Sequence, residues 1–151
     1  MYELERPPFC SVGRAMEILG ERWTMLIMRE AFYGVRRFSD MQRNLGIARN
    51  ILSARLQMLV RNGILERRRY QEEPERFEYK LTQKGLGLYP AVVAIMRWGD
   101  EFLADQGPPV VLRHSCGHIA DPVLVCAACR AELDAREVTP EPAQLPALAG
   151  R

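Results

Sequence analysis

The sequence lacks an apolar segment of the length that a membrane-spanning helix requires. Its longest uninterrupted apolar run has seven residues, Val123 to Cys129, whereas a transmembrane helix needs about 20. Residues 1–6 also lack a basic region followed by an apolar stretch, so no secretory leader is expected there. We therefore expect a cytoplasmic protein without a membrane partner, in a reducing compartment where cysteines are thiols or metal ligands before they are disulfides.

Lysine is scarce, since 19 of the 21 basic residues are Arg and only Lys80 and Lys84 are Lys. The net charge of +2 conceals an uneven distribution. Residues 34–85 carry twelve basic and six acidic side chains, while the segments on either side are slightly acidic. Because Arg binds phosphates and base edges with a forked geometry, this middle segment predicts a polyanionic partner. A solvated basic surface is the alternative interpretation.

The composition predicts one folded domain followed by an appendage. The chain has 151 residues, of which 48% are apolar and 26% charged, a balance typical of globular proteins. Gly107-Pro108-Pro109 indicates a linker, and six of the ten prolines follow residue 107. We place a domain at 1–106 and a Pro-rich linker with a Cys- and His-containing tail at 107–151. The end of that tail, from Thr139, is expected to be unstructured.

The first half of the chain has the periodicity of helices. Ser11 is the predicted N-cap of a first helix, and a second helix covers about Trp23 to Tyr33. The capping box from Ser39 to Gln42 predicts a short helix that ends before Gly46. A longer helix from residue 47 or 48 to Asn62 has leucines along one side and polar residues along the other.

The periodicity then changes to that of a β-hairpin. Arg76 to Leu81 alternates strictly between polar and apolar side chains, which predicts a half-buried strand. Residues 64–71 are the expected partner strand, and the acidic segment 72–75 is the turn. Thr82 is expected to cap a last helix that reaches about Leu103, which Pro90 either kinks or begins.

This last helix has two apolar faces, of which the domain can cover one. The second face requires another partner, and a second copy of the chain is the simplest candidate. The two faces consist of Tyr89, Val92, Val93, Met96 and Leu103, and of Leu88, Ile95, Trp98 and Phe102.

The order of the elements predicts a mainly α fold with a small β-hairpin, an α+β pattern known as the winged helix-turn-helix. A helix fits the major groove of DNA, where polar side chains in its first turns reach base edges. A neighbouring hairpin can place Arg on the phosphate backbone or in the minor groove. The basic segment coincides with these elements, so charge and fold point to the same partner, double-stranded DNA.

Residues 10–103 resemble the HxlR-type winged helix regulators of bacteria. The resemblance is carried by Cys10, Gly20-Glu21-Arg22-Trp23-Thr24, Arg29-Glu30, Arg37-Phe38-Ser39, Leu45-Gly46-Ile47, Arg55-Leu56, Gly63-Ile64-Leu65, Glu78-Tyr79, Leu81-Thr82 and Trp98. It implies a homodimeric, sequence-specific transcription factor that dimerises through its N-terminal and last helices. Family members often have Ser where this chain has Ala48, so a hydroxyl is missing at the start of the recognition helix.

Three residues early on that helix, Arg49, Asn50 and Ser53, lie outside its leucine side and are the candidates for direct base readout. Asn50 suits adenine, and Arg49 suits guanine or a phosphate. Arg76 resembles the wing Arg of the family. The other candidate DNA contacts are Lys80 in the wing and Arg37 and Ser39 near a helix N-terminus.

Cys10 precedes the first helix, where the helix field favours a thiolate. Some members of the resembled family use a cysteine here to sense oxidants or electrophiles. A small buried apolar residue is the alternative interpretation.

The tail contains both histidines and the other three cysteines. His114, Cys116, Cys126 and Cys129 form the ligand set of a structural zinc site, although zinc ribbons usually have two C-x-x-C motifs and this tail has one. The alternatives are free thiols and a disulfide formed on isolation. Nothing else in the sequence requires a cofactor.

We therefore predict a non-enzymatic transcriptional regulator whose effector the sequence does not identify. One rival is a thiol redox protein that uses Cys126 and Cys129, but the strand–C-x-x-C–helix setting and an acid/base constellation are missing. The other is a protein-binding winged helix, which the basic middle segment argues against.

Overall fold

A computed structural model describes residues 10–141. The chain divides into two compact units after Leu103, close to the predicted linker. No helix in the described range is long and apolar enough to cross a membrane. The predicted leaderless start, residues 1–6, and all but the first residues of the segment from Thr139 lie outside the described residues.

The first unit consists of helices and one two-stranded antiparallel sheet, which confirms the predicted fold class. Its elements are α1 (Ser11–Leu19), α2 (Arg22–Phe32), α3 (Phe38–Leu45), α4 (Arg49–Arg61), β1 (Leu65–Gln71), β2 (Arg76–Leu81), α5 (Gln83–Leu86) and α6 (Tyr89–Phe102).

The core lies between α2, α3, α4 and the start of the hairpin. Leu52, Leu56 and Leu59 recur at helical spacing on α4, and all three are completely buried. They share one cluster with Ile27 and Met28 of α2. Burial of each such side chain contributes about 1.5–3 kcal/mol, so this packing fixes which side of α4 faces outward.

A tight turn joins α3 to α4. Gly46 has a left-handed backbone (φ 63°), and its N–H donates to the carbonyl of Gln42 at 3.0 Å, which ends α3. Ala48 is the N-cap of α4 and supplies no side-chain hydrogen bond. Because Ala48 has no hydroxyl, the backbone N–H groups in the first turn of α4 have no side-chain cap, as the sequence indicated.

Two predicted N-caps are wrong by one or two residues. α1 is capped at Cys10 rather than Ser11, and α3 at Arg37 rather than Ser39, which lies inside the first turn. The cause at α3 is tertiary, because Arg37 is extended and forms an antiparallel bridge with Glu78 of β2. That bridge holds the chain extended up to Phe38, where the helix begins.

The predicted last helix is in fact two helices. The hydroxyl of Thr82 accepts from the N–H of Gly85 at 3.1 Å, so Thr82 caps α5, as predicted, but α5 ends at Leu86. α6 then begins at Tyr89 with Pro90 in its first turn. Pro90 therefore marks a true helix start, because its missing N–H costs nothing there.

The hairpin has the predicted bounds for β2 and begins one residue late in β1. Its register pairs Leu65 with Leu81 and Arg67 with Tyr79, and a bulge interrupts β1 between Arg69 and Gln71. Bulges increase the local twist of a hairpin, so the tip beyond Arg69 turns relative to its base.

Glu30 is a buried carboxylate that joins α2 to α3. Only 5% of the residue is exposed. Its Oε1 accepts from Arg29 Nη2 and its Oε2 accepts from Asn44 Nδ2, both at 2.8 Å. Each oxygen thus has a donor, which compensates for the burial of the charge.

We expect Glu30→Ala to lower the free energy of unfolding by about 1–3 kcal/mol, because two donors lose their acceptor in a partly buried site. Urea unfolding followed by circular dichroism measures the change. Glu17→Ala, at an exposed position of α1, is the control and should change stability by less than about 0.5 kcal/mol. Equal effects of the two substitutions would show that the Glu30 contacts contribute nothing.

Candidate nucleic-acid interface

The outer side of α4 exposes the residues predicted to read bases. Arg49 and Asn50 are exposed in its first turn, and Ser53 is half-buried one turn later. The hydroxyl of Ser53 accepts from Gln57 Nε2 at 3.2 Å. Asn50 makes no side-chain hydrogen bond with any described residue, so both edges of its amide are open to a ligand.

Aromatic rings support three of the cations around this helix. The guanidinium carbons lie 5.3 Å from the ring centroid for Arg49 and Phe38, 4.7 Å for Arg37 and Tyr70, and 3.5 Å for Arg67 and Phe77. Stacking over a ring restrains a long side chain without neutralising its charge. The three Arg side chains are therefore oriented in advance and remain cationic.

The wing is less uniformly basic than its Arg content suggests. Arg76 is exposed at the start of β2. Lys80, however, is half-buried and pairs with Glu78 at 3.2 Å. Arg69 lies 3.6 Å from a carboxylate oxygen of Glu72 and 3.5 Å from one of Glu75. The acidic tip therefore neutralises part of the wing, and Arg76 is its better candidate for a phosphate contact.

Between α4 and the hairpin runs a groove of about 400 Å³. It is lined by Ser53, Gln57, Val60, Arg61, Arg67 and Tyr79. The sequence places Arg61 on the polar side of this helix and allows one or two of residues 67–69 a phosphate contact, but neither Arg61 nor Arg67 is among the candidate contacts named above. Arg61 lies on the polar side of α4, so the helical period contained a signal for it. Arg67 pairs with Tyr79 and shares its strand face with Leu65, so the alternation of β1 contained no such signal.

A second depression, of about 480 Å³, lies beside α3 and adds two cations that the sequence interpretation missed, Arg36 and Arg43, to the predicted Arg37. Its lining includes Arg36, Arg37 and Arg43, together with the acidic Asp40 and Glu78. Arg43 already pairs with Asp40 at 2.8 Å. Ser39 is exposed on the same helix but is absent from this lining. The Arg side chains extend the basic surface away from the groove.

The cysteines and histidines lie outside the stretch of sequence that forms this surface, and within residues 10–141 they are not grouped as a metal site. Cys10 is a half-buried free thiol at the N-cap of α1. Across the part of the chain that the structure describes, no three His, Cys, Asp or Glu side chains are grouped closely enough to hold a metal ion. His114, Cys116, Cys126 and Cys129 are thus not assembled as a site, and zinc binding by them stays a prediction.

A helix pair with an exposed polar second helix, followed by an Arg-rich hairpin, defines a winged helix-turn-helix protein of the DNA-binding class. The chain belongs to the HxlR-like helix-turn-helix family, whose model matches residues 18–107. It is thus a transcriptional regulator of the helix-turn-helix type.

Relatives and solved structures agree with this assignment. The uncharacterised helix-turn-helix transcriptional regulator Rv3095 of Mycobacterium tuberculosis is 58% identical over 134 residues, which cover 87% of this chain and 85% of that protein. The crystal structure of the transcription-factor candidate PA1607 is 36% identical with a TM-score of 0.81 and covers 89% of this chain and 96% of that one. The reduced form of the transcriptional regulator YodB from B. subtilis is 32% identical with a TM-score of 0.54, covering 62% and 94%.

We expect the double variant Glu72→Gln and Glu75→Gln to bind non-specific duplex DNA about two- to tenfold more tightly at low salt, because it frees Arg69 from its ion pairs. The salt dependence should steepen by about 0.9 in slope for each additional phosphate that the protein neutralises. Fluorescence anisotropy at several salt concentrations measures both quantities. Glu17→Gln on α1 is the matched control, and an unchanged slope in the double variant would show that Arg69 stays away from DNA.

Proposed function

We propose that the protein is a homodimeric, sequence-specific DNA-binding regulator that recognises an inverted-repeat operator in the cytoplasm and has no catalytic activity. The single observation that carries this proposal is the exposed polar side of α4, with Arg49 and Asn50 in its first turn and a groove beside it to which Arg61 and Arg67 contribute. The fully buried residues of α4, namely Leu52, Leu56 and Leu59, lie on its opposite side, so the polar side is not needed for the core.

In this proposal α4 lies in the major groove. Its first turn presents Asn50, whose amide can bond adenine with two hydrogen bonds, and Arg49, which Phe38 supports from behind. Arg37 is exposed at the N-terminus of α3 and Arg76 at the start of β2, next to the hairpin turn, which suits them to the phosphates on either side. Ser39 and Ser53 add shorter polar contacts, and Lys80 contributes less because Glu78 binds it.

The dimer is proposed from the apolar side chains that the first unit leaves uncovered. On α6, Ile95 is 57% exposed, Trp98 56% and Phe102 61%. Trp98 and Phe102 lie 5.7 Å apart between ring centroids and form one surface. Val12 and Met16 on α1 are also exposed. Large apolar patches on soluble proteins mark interaction sites, and a second copy of the chain would present the same surface.

The other side of α6 packs on its own domain. Val93 is buried, Val92 packs against the core, and Tyr89 contacts Phe32 edge to face at 5.0 Å. Leu88, which the sequence suggested for the free face, is half-buried against the core instead. Leu103 lies at the exposed end of α6. The dimer surface is therefore narrower than the sequence suggested and begins at Ile95.

On DNA, such a dimer would act by excluding or recruiting RNA polymerase at a promoter. An effector would act by shifting the separation of the two α4 helices. Cys10 adjoins α1, part of the proposed dimer surface, and oxidation there is one route by which such a shift could begin. YodB is described in a reduced form, which supports a response of this kind.

The assembly is tested by Ile95→Glu combined with Phe102→Glu. We expect the wild-type chain to sediment near twice 17.3 kDa at micromolar concentration and the variant to sediment as a monomer, because two charges would enter an apolar interface. Gln83→Glu adds a charge to exposed α5 and should leave the dimer intact. A monomeric wild type would remove the basis for a two-fold operator.

DNA readout is tested by comparing Asn50→Ala with Arg76→Ala. Asn50→Ala should cost about 1–3 kcal/mol per half-site on the mapped operator and relax one base position, while non-specific binding stays nearly unchanged. Arg76→Ala should weaken binding to all sequences alike and flatten the salt slope by about 0.9. Anisotropy titrations on operator and scrambled duplexes separate the two effects.

The expected operator has half-sites about one helical turn, roughly 34 Å, apart. If Asn50→Ala left operator affinity unchanged, α4 would enter the groove in another register. If the wild type bound no duplex at all, the rival interpretation of a protein-binding winged helix would replace this one.

A further inference from the structure

An ion pair joins the recognition helix α4 to the start of α2. Nη2 of Arg55 lies 3.1 Å from Oε1 of Glu21, and both residues are half-buried. Within residues 10–141 it is the one ion pair that a side chain of α4 forms. The candidate reading residues on the outer side of α4 have no carboxylate partner in that range, so this contact has a role other than neutralising them.

The backbone holds Glu21 on both sides. Glu21 is the N-cap of α2, and its carbonyl accepts from the N–H of Thr24 at 3.0 Å. One residue, Gly20, separates it from α1, and the N–H of Gly20 donates to the carbonyl of Met16 at 2.8 Å. A carboxylate at this position is ordinarily attracted to the free N–H groups of its own helix. The side chain of Glu21 makes no such bond and extends to α4 instead.

Arg55 lies at the edge of the buried side of α4. It follows Leu52 by three residues, a spacing at which side chains share one side of a helix. Asn50, the candidate for adenine readout, lies about 140° away around the helix axis. Arg55 is thus directed towards α2 and lies away from the outer side of α4.

Apolar packing and the ion pair constrain α4 in different ways. Apolar packing depends on the area buried and has little directional preference. The buried leucines therefore determine which side of α4 faces inward more strictly than they determine its position along its axis. A guanidinium and a carboxylate, by contrast, interact at a defined distance and direction. Nε of Arg55 and Oε2 of Glu21 are buried and have no hydrogen-bond partner among the described residues, so the pair is the polar contact that positions both groups.

We propose that Glu21 and Arg55 are positioning residues for DNA readout, and that their ion pair fixes α4 along its axis relative to α2. Asn50 can bond adenine twice only if its donor and its acceptor both lie within hydrogen-bond distance. A displacement of α4 by about 1 Å would disrupt that pattern, whereas long Arg side chains could still reach phosphates. The pair therefore controls discrimination between sequences, and this inference rests on the proposed DNA-binding function.

Two other roles for the pair predict different results. If Arg55 bound a phosphate, its loss would weaken binding to every duplex and flatten the salt dependence, and loss of the Glu21 charge would strengthen binding. If the pair only stabilised the fold, folded variants would discriminate between sequences as the wild type does. Positioning requires that loss of either charge lowers discrimination.

The experiment compares anisotropy titrations of the full chain on two duplexes. One is an operator that the wild-type chain selects from a random-sequence library, and the other is a scrambled duplex of the same composition. Glu21→Gln and Arg55→Gln should each lower the ratio of operator affinity to scrambled affinity by about tenfold. The double variant should also lose about tenfold, because both substitutions remove the same contact. Glu17→Gln and Arg14→Gln, at exposed positions of α1, are the matched controls and should leave the ratio unchanged.

Conservative variants separate positioning from a loss of folding. Circular dichroism and sedimentation establish that each variant is folded and assembles as the wild type does. Glu21→Asp keeps the charge but withdraws the carboxylate by one methylene, so it should lower the affinity ratio while the salt dependence stays unchanged. Arg55→Lys keeps a cation and should recover part of the ratio that Arg55→Gln loses.

Three results would overturn the proposal. They are an unchanged affinity ratio in folded Arg55→Gln or Glu21→Asp, tighter binding of both duplexes by Glu21→Gln, and additive losses in the double variant. Failure of the wild-type chain to select any sequence from the library would instead remove the proposed DNA-binding function.

Discussion

The burial of one side of α4 is the constraint on which the remaining surface depends. Leu52, Leu56 and Leu59 are completely buried and share a cluster with Ile27 and Met28 of α2. Rotating α4 by one residue would expose a leucine and bury a polar side chain. Each of these two changes would lower the free energy of unfolding by several kcal/mol. The direction of the outer side is thus determined by apolar packing, with no contribution from DNA.

Around that helix, the contacts of each Arg or Lys side chain determine how much of its positive charge remains available to a ligand. Rings beneath Arg37, Arg49 and Arg67 restrain the cations without neutralising them, whereas carboxylates neutralise Arg69 and Lys80. The rings belong to α3 and to both strands, and of the two neutralised cations Arg69 lies towards the hairpin tip. The twelve basic and six acidic side chains of residues 34–85 therefore overstate the charge that a polyanion meets.

The elements that could be predicted from the sequence are those with a regular spacing of apolar residues. Periodicity predicts β2 residue for residue and α4 to within two residues at either end, because apolar spacing within one element reflects its own packing. The phase of α4 also places Asn50 on the outer side. The errors come from distant contacts: the bridge from Arg37 to Glu78 moves the α3 cap away from Ser39. The buried site of Glu30 likewise depends on Asn44, 14 residues away, and local sequence contains no trace of such a pairing.

The scarcity of lysine has a consequence for control of this surface. The two lysines are already occupied, Lys80 by Glu78 and Lys84 by the backbone carbonyl of Asn62 at 2.7 Å. Every other cation here is a guanidinium, which stays protonated throughout the physiological range and is no substrate for acetylation. Neither acyl transfer nor a shift in cellular pH can erase the charge. Release of a polyanion from this surface must therefore come from a change in the distance or angle between the elements that carry the Arg side chains.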